Sequence, residues 1–235
     1  MKNENSPNYR HELKFRISEL EKAKIIARIA DIVSLDTNAV NGQYMIRSLY
    51  FDDIWNSAYE EKMSGIASRR KYRIRVYNCS DGQIKLEKKS KQGNYICKEA
   101  ANLSREEADK ILAGDYVFLR RREEALCREF YAECMTSVMR PKVIVDYERI
   151  PYVYEAGTVR ITFDMNVRAG MLSYDLFDKS LPAIGVLTPE ELIMEVKYTE
   201  FLPQIIRNIL PPENSELTAA SKYVLCYEKK YGIIS

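Results

Sequence analysis

The sequence predicts an α+β fold, an antiparallel β-barrel with a basic interior and helices packed on its outside. Three observations carry that prediction. Residues 69–77 alternate with period two, so an extended chain sets Lys71, Arg73 and Arg75 on one face and Tyr72, Ile74 and Val76 on the other. The device recurs along the chain, and the charged faces share a sign: Lys14, Arg16, Lys71, Arg73, Arg75, Lys85, Lys98, Arg160 and Lys197 stand against Glu12, Glu87, Asp164 and Glu195. The opposite faces are apolar, and amphipathic helical segments elsewhere can cover them. An antiparallel sheet also carries a charged face where it meets water, but such faces mix signs more evenly. Two cations about 5 Å apart repel by roughly 3 kcal/mol at an effective dielectric near 20, so a cluster of them needs water, carboxylates or an anionic ligand.

The elements follow in order. A strand over 9–17 sets Glu12, Lys14 and Arg16 opposite His11, Leu13, Phe15 and Ile17. Ser18 and Glu21 form a capping box for a helix with Leu20, Ile25, Ile26, Ile29 and Val33 at helical spacing. Asn41-Gly42 turns into a strand over 43–51, which Asp52-Asp53 ends. Ser80-Asp81-Gly82 reads as the turn joining 69–77 to a strand carrying Lys85 and Glu87, and Gln92-Gly93-Asn94 leads into another over 95–99. Ser104 and Glu107 make a second capping box for a helix stopping near Gly114, and 117–137 predicts a longer amphipathic helix. Strands resume over 142–149, ahead of Pro151, then over 159–164 and 193–198. Two helices close the chain, one over 204–210 and one over 216–231 that Ser215 can cap.

Bulk properties narrow the function. The 235 residues predict a single domain spanning 1–235. Lysine and arginine total 36 against 34 acidic residues, and a net charge of +2 argues against a general coat for nucleic acid. Anion selectivity must then be local. The 5 cysteines contain no Cys-x-x-Cys pair, which supports neither a disulfide framework nor a zinc site and fits a reducing cytoplasm. No apolar run is long enough to insert in a membrane, and the N-terminus is no secretion signal.

Other constellations are weak. His11, the only histidine, sits on the apolar side of its strand. No nucleophile elbow, Walker loop, dinucleotide glycine pattern or histidine-rich metal motif occurs. Trp55 reads as a packing residue, Lys88-Lys89-Ser90-Lys91 as a solvated hairpin edge and Arg120-Arg121-Arg122 as a helix face.

Eight short pieces in order resemble one family: Glu12-Leu13-Lys14, Ile46-Arg47-Ser48-Leu49-Tyr50-Phe51-Asp52, Arg73-Ile74-Arg75, Lys85-Leu86-Glu87-Lys88, Asp146-Tyr147-Glu148-Arg149, Val159-Arg160-Ile161-Thr162, Glu195-Val196-Lys197 and Ser221-Lys222-Tyr223. The chain resembles the polyphosphate polymerase (VTC-type) domain of the triphosphate tunnel metalloenzyme, or CYTH-like, superfamily. The resemblance implies a tunnel whose basic lining holds triphosphate or a growing polyphosphate chain, and transfer of the terminal phosphoryl group of ATP onto that chain. It implies phosphate binding by Lys14, Arg73, Arg75, Lys85, Lys98, Arg149, Arg160, Lys197 and Lys222, with Arg73, Arg160 and Lys222 closest to the chemistry. Glu195, with Glu12 and Glu87, would hold manganese or magnesium, hard cations that suit carboxylate and phosphate oxygens. Strand parity groups Arg149 with Val143, Val145 and Tyr147, so its place in a polar interior requires a bulge. The superfamily's opening motif alternates Glu, Glu, Lys, whereas Arg10 stands first here, which weakens the case for its hydrolytic and cyclase branches. The implied partners are ATP and inorganic polyphosphate or triphosphate, with a separate membrane protein as a possible associate. Two alternatives keep the same ligand class: a metal-dependent tunnel triphosphatase and a non-catalytic polyphosphate-binding module.

Overall fold

The computed structural model describes residues 11–93, 95–199, 201–210 and 221–233. Its strands are β1 (His11–Ser18), β2 (Ser34–Leu35), β3 (Tyr44–Asp52), β4 (Ser68–Tyr77), β5 (Ser80–Gln92), β6 (Tyr95–Leu103), β7 (Arg140–Tyr154), β8 (Val159–Gly170), β9 (Ala183–Gly185) and β10 (Glu191–Tyr198). They pair in one antiparallel sheet ordered β1-β10-β8-β7-β3-β4-β5-β6, with β2 beside β7 and β9 beside β8. The ends of that order meet, because Lys89 of β5 donates to Glu12 of β1 at 2.6 Å. No backbone pairing joins β1 to β6 among the described residues. The predicted antiparallel architecture is therefore present as a strongly curled sheet left open along one seam, and side chains reach across the gap.

Six helices accompany the sheet among the described residues: α1 (Glu19–Ile29), α2 (Ser57–Met63), α3 (Arg105–Leu112), α4 (Ala125–Thr136), α5 (Gln204–Arg207) and α6 (Lys222–Tyr231). The capping boxes of α1 and α3 form as the sequence predicts, with Ser18 and Ser104 each accepting from the backbone N–H three residues on. Two apolar layers cover the convex face. α1 and α5 pack Ile25, Ile29 and Ile206 on Phe15, Ile161, Phe163 and Met194, while α3 and α4 pack Ile111 and Phe130 on Phe51, Tyr72, Ile74 and Leu86. The third core lies on the concave side, where Tyr223 and Tyr227 of α6 meet Ile46, Val143, Val145 and Tyr147. Arg149 needs no bulge, since its parity partners Val143 and Val145 also face inward, under α6. The interior is thus apolar where the last helix crosses it and charged beyond.

Several expectations need correction. The β4–β5 turn is Asn78-Cys79, both at φ 52, rather than Ser80-Asp81-Gly82, and Tyr77 pairs directly with Ser80. Two consecutive positive φ angles match the twist of a two-residue hairpin, and Asn78 is further held because its Oδ1 accepts from Met45 N. The helix predicted over 117–137 is broken into a 3-10 turn, Val117–Arg121, and α4, because Arg122 is extended and ties its guanidinium to Glu107, Glu124 and the Asn102 carbonyl. Arg120-Arg121-Arg122 is accordingly no helix face. Strand β7 runs through Pro151 to Tyr154, and α2 is an element that the strand pattern did not announce. Trp55 is 76% exposed and packs in no core. His11 stacks on Tyr198 with ring centroids 5.0 Å apart. Arg10, Asn94, Ser215 and residues 216–220 of the expected last helix lie outside the described residues.

Candidate functional site

Alternation on β1, β4, β5, β7 and β10 brings nine lysines and arginines to one cavity of about 400 Å³, and α2 and α6 add Lys62 and Lys222, against only two carboxylates, Glu12 and Glu195. Each strand contributes every second residue, so a curled sheet concentrates what a flat one would display. Two walls differ in how their charges are met.

On the first wall, β1, β7, β8, β10 and α6 interleave acids with bases. Glu195, 5% exposed, accepts from Lys222 at 2.7 Å and Lys197 at 2.8 Å, with Arg149 at 3.4 Å and Lys14 at 3.6 Å. Asp164, fully buried behind it, takes both forks of Arg149 at 2.6 and 2.7 Å and Lys222 at 2.5 Å. Burial alone would neutralise Glu195, but Lys197, Lys222, Lys14 and Arg149 hold its carboxyl well below the usual range. Burial likewise opposes the charge on Lys222, yet Asp164 and Glu195 push its pKa up.

The second wall, on β4 and β5, is basic with a single buried acid. Arg73 donates to Glu87 at 2.7 Å and to the Tyr50 hydroxyl at 2.7 Å, and Arg75 donates to Ser48 at 3.2 Å and Tyr147 at 3.4 Å. Lys71 has no carboxylate within 4 Å among the described residues; it donates to Ser221 Oγ at 3.2 Å and sits 4.6 Å from the Tyr223 ring centroid. Burial, together with Lys14, Arg69, Lys62 and Lys89, drives its pKa well below the ordinary lysine value. Lys89 is pulled down to about 8 by burial, partly offset by Glu12. Guanidinium forks and lysine ammoniums with unmet charge are what a multi-oxygen anion would complete.

Of the residues that the sequence nominated, Lys14, Arg73, Arg75, Arg149, Lys197, Lys222, Glu12 and Glu195 line this cavity. Lys85, Lys98, Arg160 and Glu87 do not. Arg160 has the inward parity, but its guanidinium turns to Asp36. Lys98 is 45% exposed and pairs with Glu87. Glu87 is 1% exposed and saturated by Arg73, Arg75 and Lys98. Lys85 lies opposite Arg75 without reaching the lining. The supposed solvated edge is overturned as well, because Lys89 and Lys91 line the cavity and Lys88 pairs with Glu99 and Glu129. Continuing the alternation of β5 past Glu87 would have found both. Lys62 on α2, Arg69, Tyr50, Tyr147 and Ser221 were also missed as lining residues.

The donor set fits a hard divalent cation only in one form. No group of three or more acidic, cysteine or histidine side chains stands ready as a cage among the described residues. Glu195, with Glu12 nearby, could hold magnesium or manganese that completes its shell with phosphate oxygens and water. Glu87 lies off the cavity and is fully paired, so it does not suit that role.

The profile of a family described as the VTC domain matches residues 9–231. No curated protein matches the chain. Among solved structures, an adenylyl-cyclase-like protein from Hippeastrum with a dominant triphosphatase activity superposes with a TM-score of 0.57 at 12% identity, covering 94% of this chain and 96% of its own. An adenylate-cyclase-like protein from Bacillus halodurans gives 0.53 at 13% identity, over 87% of this chain and 95% of its own. These likenesses show a shared fold. No helix among the described residues is long and apolar enough to cross a membrane.

Proposed function

The chain belongs to the VTC domain family, and on that footing we propose that it is a metal-dependent polyphosphate polymerase that moves the terminal phosphoryl group of ATP onto a polyphosphate chain. The observation that supports this most is the excess of cations over carboxylates in one cavity, eleven against two. Phosphoryl transfer asks mainly for alignment and charge stabilisation, and no side-chain nucleophile is required. In this reading Arg73, Arg75 and Lys71 grip phosphate oxygens, and Arg149 and Lys14 hold the facing side. Lys222, braced by Asp164 and Glu195, presents its ammonium to the charge that develops on the transferring group. A divalent cation held by Glu195 and Glu12 would supply further neutralisation of phosphate charge. Lys98 braces the lining from behind through Glu87, while Arg160 and Lys85 stay off the cavity. A reducing cytoplasm suits the five free cysteines, and association with a separate membrane protein belongs to the same reading.

The metal-dependent triphosphatase remains the second reading, favoured by Glu12, which keeps a second carboxylate in the lining. Incubation with ATP and manganese or magnesium, followed by product separation, decides between them. The polymerase yields phosphate chains that lengthen with time. Orthophosphate alone identifies a triphosphatase, and binding without turnover identifies a binding module.

A further inference from the structure

The start of α6 puts two consecutive residues, Ser221 and Lys222, at the cavity, and its own cap does not seat it. Ser221, the N-cap residue, makes no capping bond; its hydroxyl accepts from Lys71 instead. Lys222 reaches Asp164 and Glu195. Tyr223, 1% exposed, points the other way and donates to Asp52 Oδ2 at 2.6 Å. Asp52 ends β3, is 1% exposed, and has no cation partner among the described residues. Its remaining capacity is spent on backbone: Oδ1 accepts from Asp53 N and Ala58 N at 2.9 Å each, and Oδ2 from Tyr59 N at 3.2 Å. The N-cap of α2, Asn56, is left-handed and makes no side-chain cap, so Asp52 fills that office from outside the helix. One buried carboxylate thus joins two helices, and each of those helices sends a lysine, Lys62 or Lys222, into the cavity.

We propose that Asp52 and Tyr223 form a positioning pair that fixes the rotation of the first turn of α6, and through it the place of the Lys222 ammonium and the Ser221 contact to Lys71. The proposal rests on reading the cavity as a polyphosphate site. A buried hydrogen bond to a carboxylate is short and directional. Apart from those of Lys222, the other side-chain hydrogen bonds of α6 among the described residues lie beyond its first turn, where Glu228 accepts from the Tyr59 hydroxyl at 3.1 Å, and Lys230 and Tyr231 donate to the Lys142 carbonyl at 3.1 and 3.2 Å.

Tyr223→Phe is the cleanest probe, since it removes one hydroxyl while keeping the ring against Tyr50, 5.0 Å away, and Lys71. It also leaves Asp52 capping α2. Expected is a loss of turnover with ATP of about tenfold, KM within about twofold and a melting temperature within a few degrees of the parent. In a Lys222→Met background the same change should cost less than about twofold, because the pair acts through Lys222. A ligand-free readout accompanies it: acylation of Lys222 by an amine-reactive ester, followed by mass spectrometry, should run at least about fivefold faster in Tyr223→Phe than in the parent. Unchanged labelling, or full additivity with Lys222→Met, overturns the positioning role. A parent that neither turns over ATP nor binds tripolyphosphate sinks the functional reading instead, and the labelling result still decides the pair.

Discussion

The two walls of the cavity answer the same problem, crowded positive charge, in different ways. On the β1, β7, β8, β10 and α6 side, Lys14, Arg149, Lys197 and Lys222 share Glu12, Asp164 and Glu195, so their charges are largely met before any ligand arrives. On the β4 and β5 side, Glu87 serves Arg73 and Arg75, while Lys71 has no carboxylate within reach among the described residues. The balanced wall, with its carboxylates and bases already paired, suits a cation and a lysine held in place. The unbalanced wall gains most from a polyanion, since a bound phosphate removes repulsion there as well as adding attraction.

Breaking the balanced wall should have the largest effect on chemistry. Glu195→Gln should cut metal-dependent turnover by about two to three orders of magnitude, while calorimetry finds tripolyphosphate affinity within about threefold of the parent. Equal metal dependence in parent and variant would move the cation to Glu12.

Breaking the unbalanced wall should show in binding. Removing Arg73 and Arg75 leaves Glu87, which is 1% exposed, with Lys98 as its remaining cation, so the informative variant is Arg73→Ala, Arg75→Ala with Glu87→Gln. Tripolyphosphate affinity should fall about a hundredfold, the worth of two charge-assisted hydrogen bonds near 1.5 kcal/mol each. Undiminished affinity in a folded variant would place the anion elsewhere.

Lys222→Met joins the comparison at the seam. Turnover should drop about tenfold or more. Thermal stability should fall too, because Lys222 is 8% exposed and its loss leaves Asp164 to Arg149 alone.

The smallest effect is in pH. Burial pulls the Lys89 pKa down to about 8 and holds that of Lys71 well below the ordinary lysine value, so both gain charge as pH falls. Tripolyphosphate affinity, corrected for the ligand's own protonation, should therefore rise several-fold between about pH 9.5 and 7, with proton uptake on binding. Lys89→Met should flatten that profile, and a parental slope in the variant would assign the titration to another group.

Much of this was legible in the sequence because strand alternation is a rigid rule. Lys71, Arg73 and Arg75 face inward with Glu195 and Lys14 as period two requires. What alternation cannot give is where along an inward face the cavity ends. Arg160 has the right parity but swings to Asp36, a residue some 124 positions away in sequence. Lys89 and Lys91 looked like a solvated edge because a lysine-rich run resembles one, and only the curl of the sheet carries β5 to Glu12. Lys62 comes from α2, whose cap, Asp52, lies outside the usual spacing and so left no local signal.

Whether the two walls divide the labour is decided by locating bound tripolyphosphate in a crystal structure. Phosphate oxygens within hydrogen-bonding distance of Lys71, Arg73 and Arg75, with the terminal phosphate turned towards Lys222 and Glu195, are the predicted result. A tripolyphosphate held outside the cavity, or one that contacts Lys197 and Lys14 while leaving Lys71, Arg73 and Arg75 untouched, would contradict it.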